Sequence, residues 1–151
     1  MKSTEFIWFD GQPVHRTIAE DVEATSEPWV CKWKYNGNTR ILNVPADYTW
    51  DGASIPRFAW SLIGLTPMGL MDGPSLAHDP LYRSKGGRLD MQGCRLTSEA
   101  GIGVVVDRDE ADWVLRATMN FVNVPRMRAN IAYGIVRAFG GGYWGGPAPK
   151  R

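Results

Sequence analysis

The stretch from Trp29 to Val44, WVCKWKYNGNTRILNV, decides how the rest of this chain is read. Trp29, Cys31, Trp33 and Tyr35 alternate with Val30, Lys32 and Lys34, the two-residue period of a half-buried strand. Asn36-Gly37-Asn38 supplies residues that tolerate a positive φ, and the chain returns through Arg40, Ile41, Leu42, Asn43 and Val44. Pro45 has no N–H to give to a ladder and marks the end of the returning strand. The pattern predicts an antiparallel hairpin.

Upstream, Phe6 to Phe9 reads as a short strand closed by the turn signal Asp10-Gly11, with Val14 to Ile18 expected to pair with it. Downstream, Pro45 to Arg57 is too rich in Pro, Gly and Asp for a central element and reads as an ordered loop. Phe58 to Ile63 reads as a short helix stopped at Gly64, and Gly69 to Gly73 as a break. Pro74 suits the first turn of a helix carrying Ser75, Leu76, Ala77, His78 and Asp79, which Pro80 is expected to kink or keep short. Ser84 to Gly103 is loop-like, with room for a small hairpin.

Two helices close the body. Asp107 or Asp109 caps the first, with Glu110 and Asp112 in its opening turns and an apolar face of Ala111, Val114, Leu115, Thr118 and Met119. Pro125 opens the second, which runs through Ala129, Ile131, Ala132, Ile135 and Val136 to Phe139 and ends at Gly140-Gly141-Gly142. The expected fold is α+β: a small antiparallel β-sheet in the N-terminal half, packed with three or more helices in the C-terminal half. Residues 1–139 form one domain and 140–151 a Gly- and Pro-rich tail, whose Tyr143-Trp144 either anchors a partner or folds back onto the body.

At 151 residues and 44% hydrophobic content the chain can bury a real core. A net charge of +1 gives no basic stripe of the kind nucleic acid requires, and Arg126, Arg128 and Arg137 read as a solvated helix face. Cys31 and Cys94 lack metal-type spacing and read as two reduced thiols, suited to synthesis in a cytoplasm. The N-terminal residues lack a signal-peptide apolar core, and no run has the length of a transmembrane segment.

Three segments carry groups capable of chemistry: Asp51 to Arg57, His78-Asp79 with Tyr82, and Glu110 to Asp112. Neighbours on a helix point about 100° apart, so His78 and Asp79 must serve different partners. His78 and Tyr82 share a face at i,i+4, while Asp79 reaches Tyr82 or Arg83. A neutral His is a general base, a carboxylate beside it can hold a hard metal ion, and Asp112 is the natural third member. The same residues also suit a purely structural network, with Asp79 paired to Arg83 or Arg57. In the loop, Gly52 permits a sharp turn, Ser54 offers a hydroxyl and Arg57 can clamp an anion; Asp51 can instead close an Asx turn on its own backbone. Ser54 lacks a nucleophile elbow. His15 has no ligand-type neighbour and reads as structural or exposed.

Trp50-Asp51-Gly52-Ala53-Ser54-Ile55-Pro56-Arg57, Ala77-His78-Asp79 with Leu81-Tyr82, Ala111-Asp112 ahead of Met119, and Tyr133 through Val136-Arg137 to Phe139-Gly140 resemble a phage and prophage family catalogued as domain of unknown function 1353. The resemblance covers roughly residues 40 to 145, with Pro80 and the Gly-containing stretch between Arg83 and Asp107 as departures. It implies a bacteriophage context. Locally, His78-Asp79-x-x-Tyr82 is similar to the helix signature of secreted phospholipases A2. That similarity implies His78 as the base activating water and Asp79 as a calcium ligand, with carbonyls from the Asp51-Gly52 loop. Tyr82 and Asp112 would support the site. The chain lacks that family's cysteine framework and Gly-rich calcium loop.

The expected function is a phage protein with a hydrolase-like site: catalytic His78, Asp79, Tyr82 and Asp112; binding residues Asp51, Gly52, Ser54 and Arg57; and Asp79 with Asp51 as ligands for calcium or zinc. Its substrate would be a host envelope component, a lipid ester or peptidoglycan. The alternatives are a non-enzymatic tail or connector protein of the virion and an inhibitor of host defence. The expected partners are virion proteins or the host envelope, with no nucleic acid.

Overall fold

In the computed structural model, residues 5–19, 22–50, 64 and 69–146 are described. The chain runs β1 (Phe6–Phe9), β2 (His15–Ala19), β3 (Val22–Thr25), β4 (Trp29–Tyr35), β5 (Asn38–Val44), β6 (Thr49–Trp50), α1 (Asp72–Arg83), β7 (Arg95–Thr97), α2 (Arg108–Phe121) and α3 (Arg126–Phe139). The fold is α+β, with antiparallel sheets mostly in the N-terminal half and three helices in the C-terminal half.

The β4–β5 hairpin is the centre of a four-stranded sheet of order β1-β4-β5-β7. Asn36 and Gly37 both have positive φ, 49° and 80°, which lets two residues reverse the chain with the twist of the strands. Trp29, Cys31 and Trp33 on β4 and Leu42 and Val44 on β5 are buried, so one face of the sheet builds the core. The helices cover that face, and Arg40, on the same face opposite Trp33, reaches Glu110 of α2 at 3.5 Å. Cys31 and Cys94 are free, buried thiols; burial first, then the charge of Asp79, pushes the Cys94 thiol up to about 12.

Two local expectations are corrected. β1 pairs with β4 (Phe6 opposite Lys34), and β2 pairs with β3, so Phe6–Phe9 and the strand after it lie in different sheets. Val22–Thr25 supplies β2 with the partner that Phe6–Phe9 does not, and β3 carries β6 on its far side to complete a second sheet, β2-β3-β6. Pro80 does not end α1, which continues to Arg83 and is closed by Ser84, whose N–H and hydroxyl both donate to the Pro80 carbonyl (3.1 and 2.7 Å). Proline removes one helical N–H, but the carbonyls that follow are used. The Ser84–Gly103 stretch does contain a small hairpin, β7 returning to a bridge at Gly103. The predicted helix at Phe58–Ile63 and the loop from Asp51 to Arg57 lie outside the described residues.

The small sheet is fastened to α1 through polar side chains. Trp50 Nε1 donates to Ser75 Oγ (3.0 Å). His15, expected to be structural or exposed, is a half-buried link with carboxylates on both ring nitrogens: Nδ1 with Glu23 Oε2 (3.0 Å) and Nε2 with Asp72 Oδ2 (2.9 Å). Burial opposes the charged ring, but the hydrogen bonds and charges of Glu23 and Asp72 outweigh it and raise the His15 pKa above 6.5. A group whose pKa is raised on folding stabilises fully below its unfolded value and loses that contribution as pH rises through the folded one. Urea midpoints should therefore show His15→Gln costing more stability near pH ~6 than near pH ~9. An equal cost at both pH values would show that the ring is not held as a cation between the two carboxylates.

Candidate functional site

α1 has no solvent face: every residue from Asp72 to Tyr82 is buried. A charged or polar group on such a helix must find its partners inside the protein. His78 and Asp79 do so in different directions, as adjacent helix positions require.

His78 turns to α2. Its Nε2 lies 3.2 Å from Asp112 Oδ1, both side chains are wholly buried, and its ring packs on that of Tyr82 with centroids 4.2 Å apart. Asp112 reaches this point because Asp107 caps α2, accepting from the Glu110 N–H at 2.8 Å, and so fixes where the first turn begins. The Asp112 carboxylate gathers several donors. Tyr82 Oη donates to Oδ1 (2.5 Å), Arg137 Nη1 donates to Oδ2 (2.7 Å), and Arg108 Nε stands 3.7 Å from Oδ2 while donating to Tyr82 Oη (3.1 Å). Burial alone would raise the Asp112 carboxyl, but the hydrogen bonds from His78, Tyr82 and Arg137 outweigh it and hold it below its ordinary value. Burial and the neighbouring Asp112 charge push the Tyr82 phenol up, so it stays a donor. His78 Nδ1 is buried and has no hydrogen-bond partner among the described residues.

Asp79 turns the other way. Its Oδ2 accepts from Tyr48 Oη (2.5 Å) and lies 3.2 Å from Arg83 Nε, one turn on. A guanidinium thus meets the charge that a metal ion would otherwise neutralise. Among the described residues, no group of three or more His, Cys, Asp or Glu side chains could hold a metal ion. Asp51, Gly52, Ser54 and Arg57, the binding half of the expected site and one of its two metal ligands, lie outside the described residues.

Sequence reasoning missed Tyr48, Arg108 and Arg137. Arg108 stands four residues before Asp112 on one helix, a spacing that could have been read. Arg137 is corrected from a solvated face to a buried-site partner: it bridges Asp112 and Asp109, the latter at 2.6 Å. Arg108 also donates to the carbonyls of Val136 and Arg137 (2.7 and 2.8 Å), so it ties the end of α3 to the site. The chain after α3 folds back as far as it is described: Trp144 meets Tyr82 edge-on at 5.1 Å, and the Gly145 N–H donates to the Tyr82 carbonyl (2.7 Å).

A family model described as a protein of unknown function, DUF1353, matches residues 27–136. No curated protein and no solved structure matches the chain.

Two outcomes follow from this geometry. Because its pKa is lowered on folding, Asp112 contributes stability that is present above its unfolded pKa of 3.8 and lost as pH falls through the folded value. Asp112→Asn should cost about 3 kcal/mol at neutral pH, since it leaves the half-buried guanidiniums of Arg108 and Arg137 without their counter-charge, and the loss should shrink on acidification; a pH-independent loss in chemical denaturation would contradict this. A Cβ at Gly140 would stand 2.8 Å from Tyr82 Oη. Gly140→Ala should therefore displace that hydroxyl and blue-shift or broaden the tyrosine ultraviolet signature of the buried phenol, whereas an unchanged spectrum would show that the tail yields instead of the ring.

Proposed function

The chain belongs to the family of proteins of unknown function DUF1353, and from that premise we propose that it is a bacteriophage hydrolase whose general base is His78, acting on a host envelope component, a lipid ester or peptidoglycan. One observation carries this reading. Nε2 of His78 is tied to a buried carboxylate while Nδ1 is left without a partner among the described residues. An imidazole that donates Nε2–H to a carboxylate presents a basic lone pair on its other nitrogen, and the carboxylate then stabilises the imidazolium that forms.

In this reading Nδ1 takes the proton of an attacking water and returns it to the leaving group. Asp112 fixes the tautomer. Tyr82 and Arg137 keep Asp112 ionised and in place, each donating to one of its oxygens. In the metal-assisted form Asp79 and Asp51 would hold calcium or zinc, and Arg83 would compete with the ion for Asp79. Asp51, Gly52, Ser54 and Arg57 would bind substrate.

A second reading, a non-enzymatic virion component of the tail or connector, is favoured by a different observation: His78 and Asp112 are wholly buried and Asp112 is saturated with donors, as in a network that only holds helices together. The two are separated by assay. Purified protein should release ester or peptidoglycan products, and His78→Ala should lower the rate by about 10²-fold or more while remaining folded by circular dichroism. Asp79→Asn should abolish any calcium or zinc binding seen by calorimetry. Equal activity in wild type and folded His78→Ala, with the protein present stoichiometrically in purified virions, would replace the enzyme reading with the second.

A further inference from the structure

Charge is divided along this chain. All 16 Asp and Glu lie at or before Asp112, where they stand against 11 Lys and Arg, a formal charge of −5. From Trp113 onward there are six Lys and Arg and no carboxylate side chain, a formal charge of +6. The overall +1 conceals this asymmetry, which is the kind that marks a surface for a polyanionic partner.

The described part of that cationic segment includes α3. Its inner face, Ala129, Ala132 and Val136, is buried. The opposite stripe holds Met127, Ile131, Gly134 and Ala138, at i, i+4, i+7 and i+11, and all four are exposed. Met127 is 76% exposed and Ile131 41%, on the side where a surface helix ordinarily carries charge. Arginines border the stripe: Arg126 on one side and, on the other, Arg128, which spends one N–H on the Gly64 carbonyl (3.3 Å). Arg116 of α2 lies over the Tyr133 ring at 4.0 Å, adding a cation beside the helix.

We propose that this face of α3 docks on an anionic phospholipid surface, with Met127 and Ile131 entering the acyl boundary and Arg126, Arg128 and Arg116 meeting the headgroup phosphates. An apolar stripe flanked by arginine, on a helix with no carboxylate of its own, matches both components of such a surface. Nucleic acid would be served by the cations but not by exposed Met and Ile, which offer no ring to stack on bases. Among the described residues no helix is long and apolar enough to cross a membrane, so the contact is peripheral. The inference goes beyond the hydrolase reading, because binding requires none of His78, Asp79 or Asp112.

Sedimentation with vesicles tests it. The full chain should pellet with vesicles of phosphatidylcholine mixed with phosphatidylglycerol and not with phosphatidylcholine alone, and high salt should weaken the binding. Arg126→Glu with Arg128→Glu should lower the partition coefficient about tenfold or more. Met127→Asp with Ile131→Asp, both at exposed positions, should do the same without changing the melting curve, and His78→Ala should bind as wild type. No binding to the anionic vesicles, binding that survives the two Asp substitutions, preference for single-stranded DNA, or a dimer abolished by those substitutions in place of vesicle binding would each overturn the proposal.

Discussion

A helix buried on every side has nowhere to put a charge except against another part of the chain, and α1 carries Asp72, His78 and Asp79 in that setting. Each is met from a different direction. Asp72 is met by His15 of the small sheet, His78 by Asp112 of α2, and Asp79 by Tyr48 and by Arg83 of α1 itself. The elements around α1 are therefore placed by polar contacts as well as by apolar area. Burying such groups costs several kcal/mol each if they go unpaired, so a small shift of any surrounding element would be strongly opposed.

The same constraint shapes the site. Asp112 could stay ionised in a buried position only with several donors, and it has them from α1, α2 and α3. Arg137 and Arg108 thus do two things at once: they balance the carboxylate and they anchor the C-terminal helix. The site and the helical packing are one network, which explains why its members come from three helices, His78 standing 34 residues before Asp112 and Arg137 a further 25 after it.

Much of the fold was legible in local pattern. The β4–β5 hairpin followed from strict alternation and an Asn-Gly turn, and α2 from a cap and an apolar stripe at helical spacing. Pairing partners were less legible. Nothing in Phe6–Phe9 says that it joins β4 in preference to β2, because a four-residue strand carries no register signal of its own. Pro80 misled because a proline's local cost is outweighed when the whole helix is buried. Of the candidate site, His78, Asp79, Tyr82 and Asp112 were picked out as chemistry-bearing groups on two helices, and the divergence of His78 from Asp79 followed from helix geometry. Tyr48 and Arg137 were not legible, since their relation to α1 and α2 is made only by tertiary packing. The charge division at Asp112 was present in the sequence all along, hidden by a near-neutral total.

In the proposed site Asp112 holds the His78 ring with its proton on Nε2 and leaves Nδ1 as a base. Nitrogen NMR of the imidazoles reads this directly, and His15→Gln leaves His78 as the sole histidine. At mildly alkaline pH a single, slowly exchanging tautomer is expected, with Nε2 protonated and Nδ1 bare, converting to mixed tautomers in Asp112→Asn. A proton found on Nδ1, or a tautomer mixture already present with Asp112 intact, would contradict it.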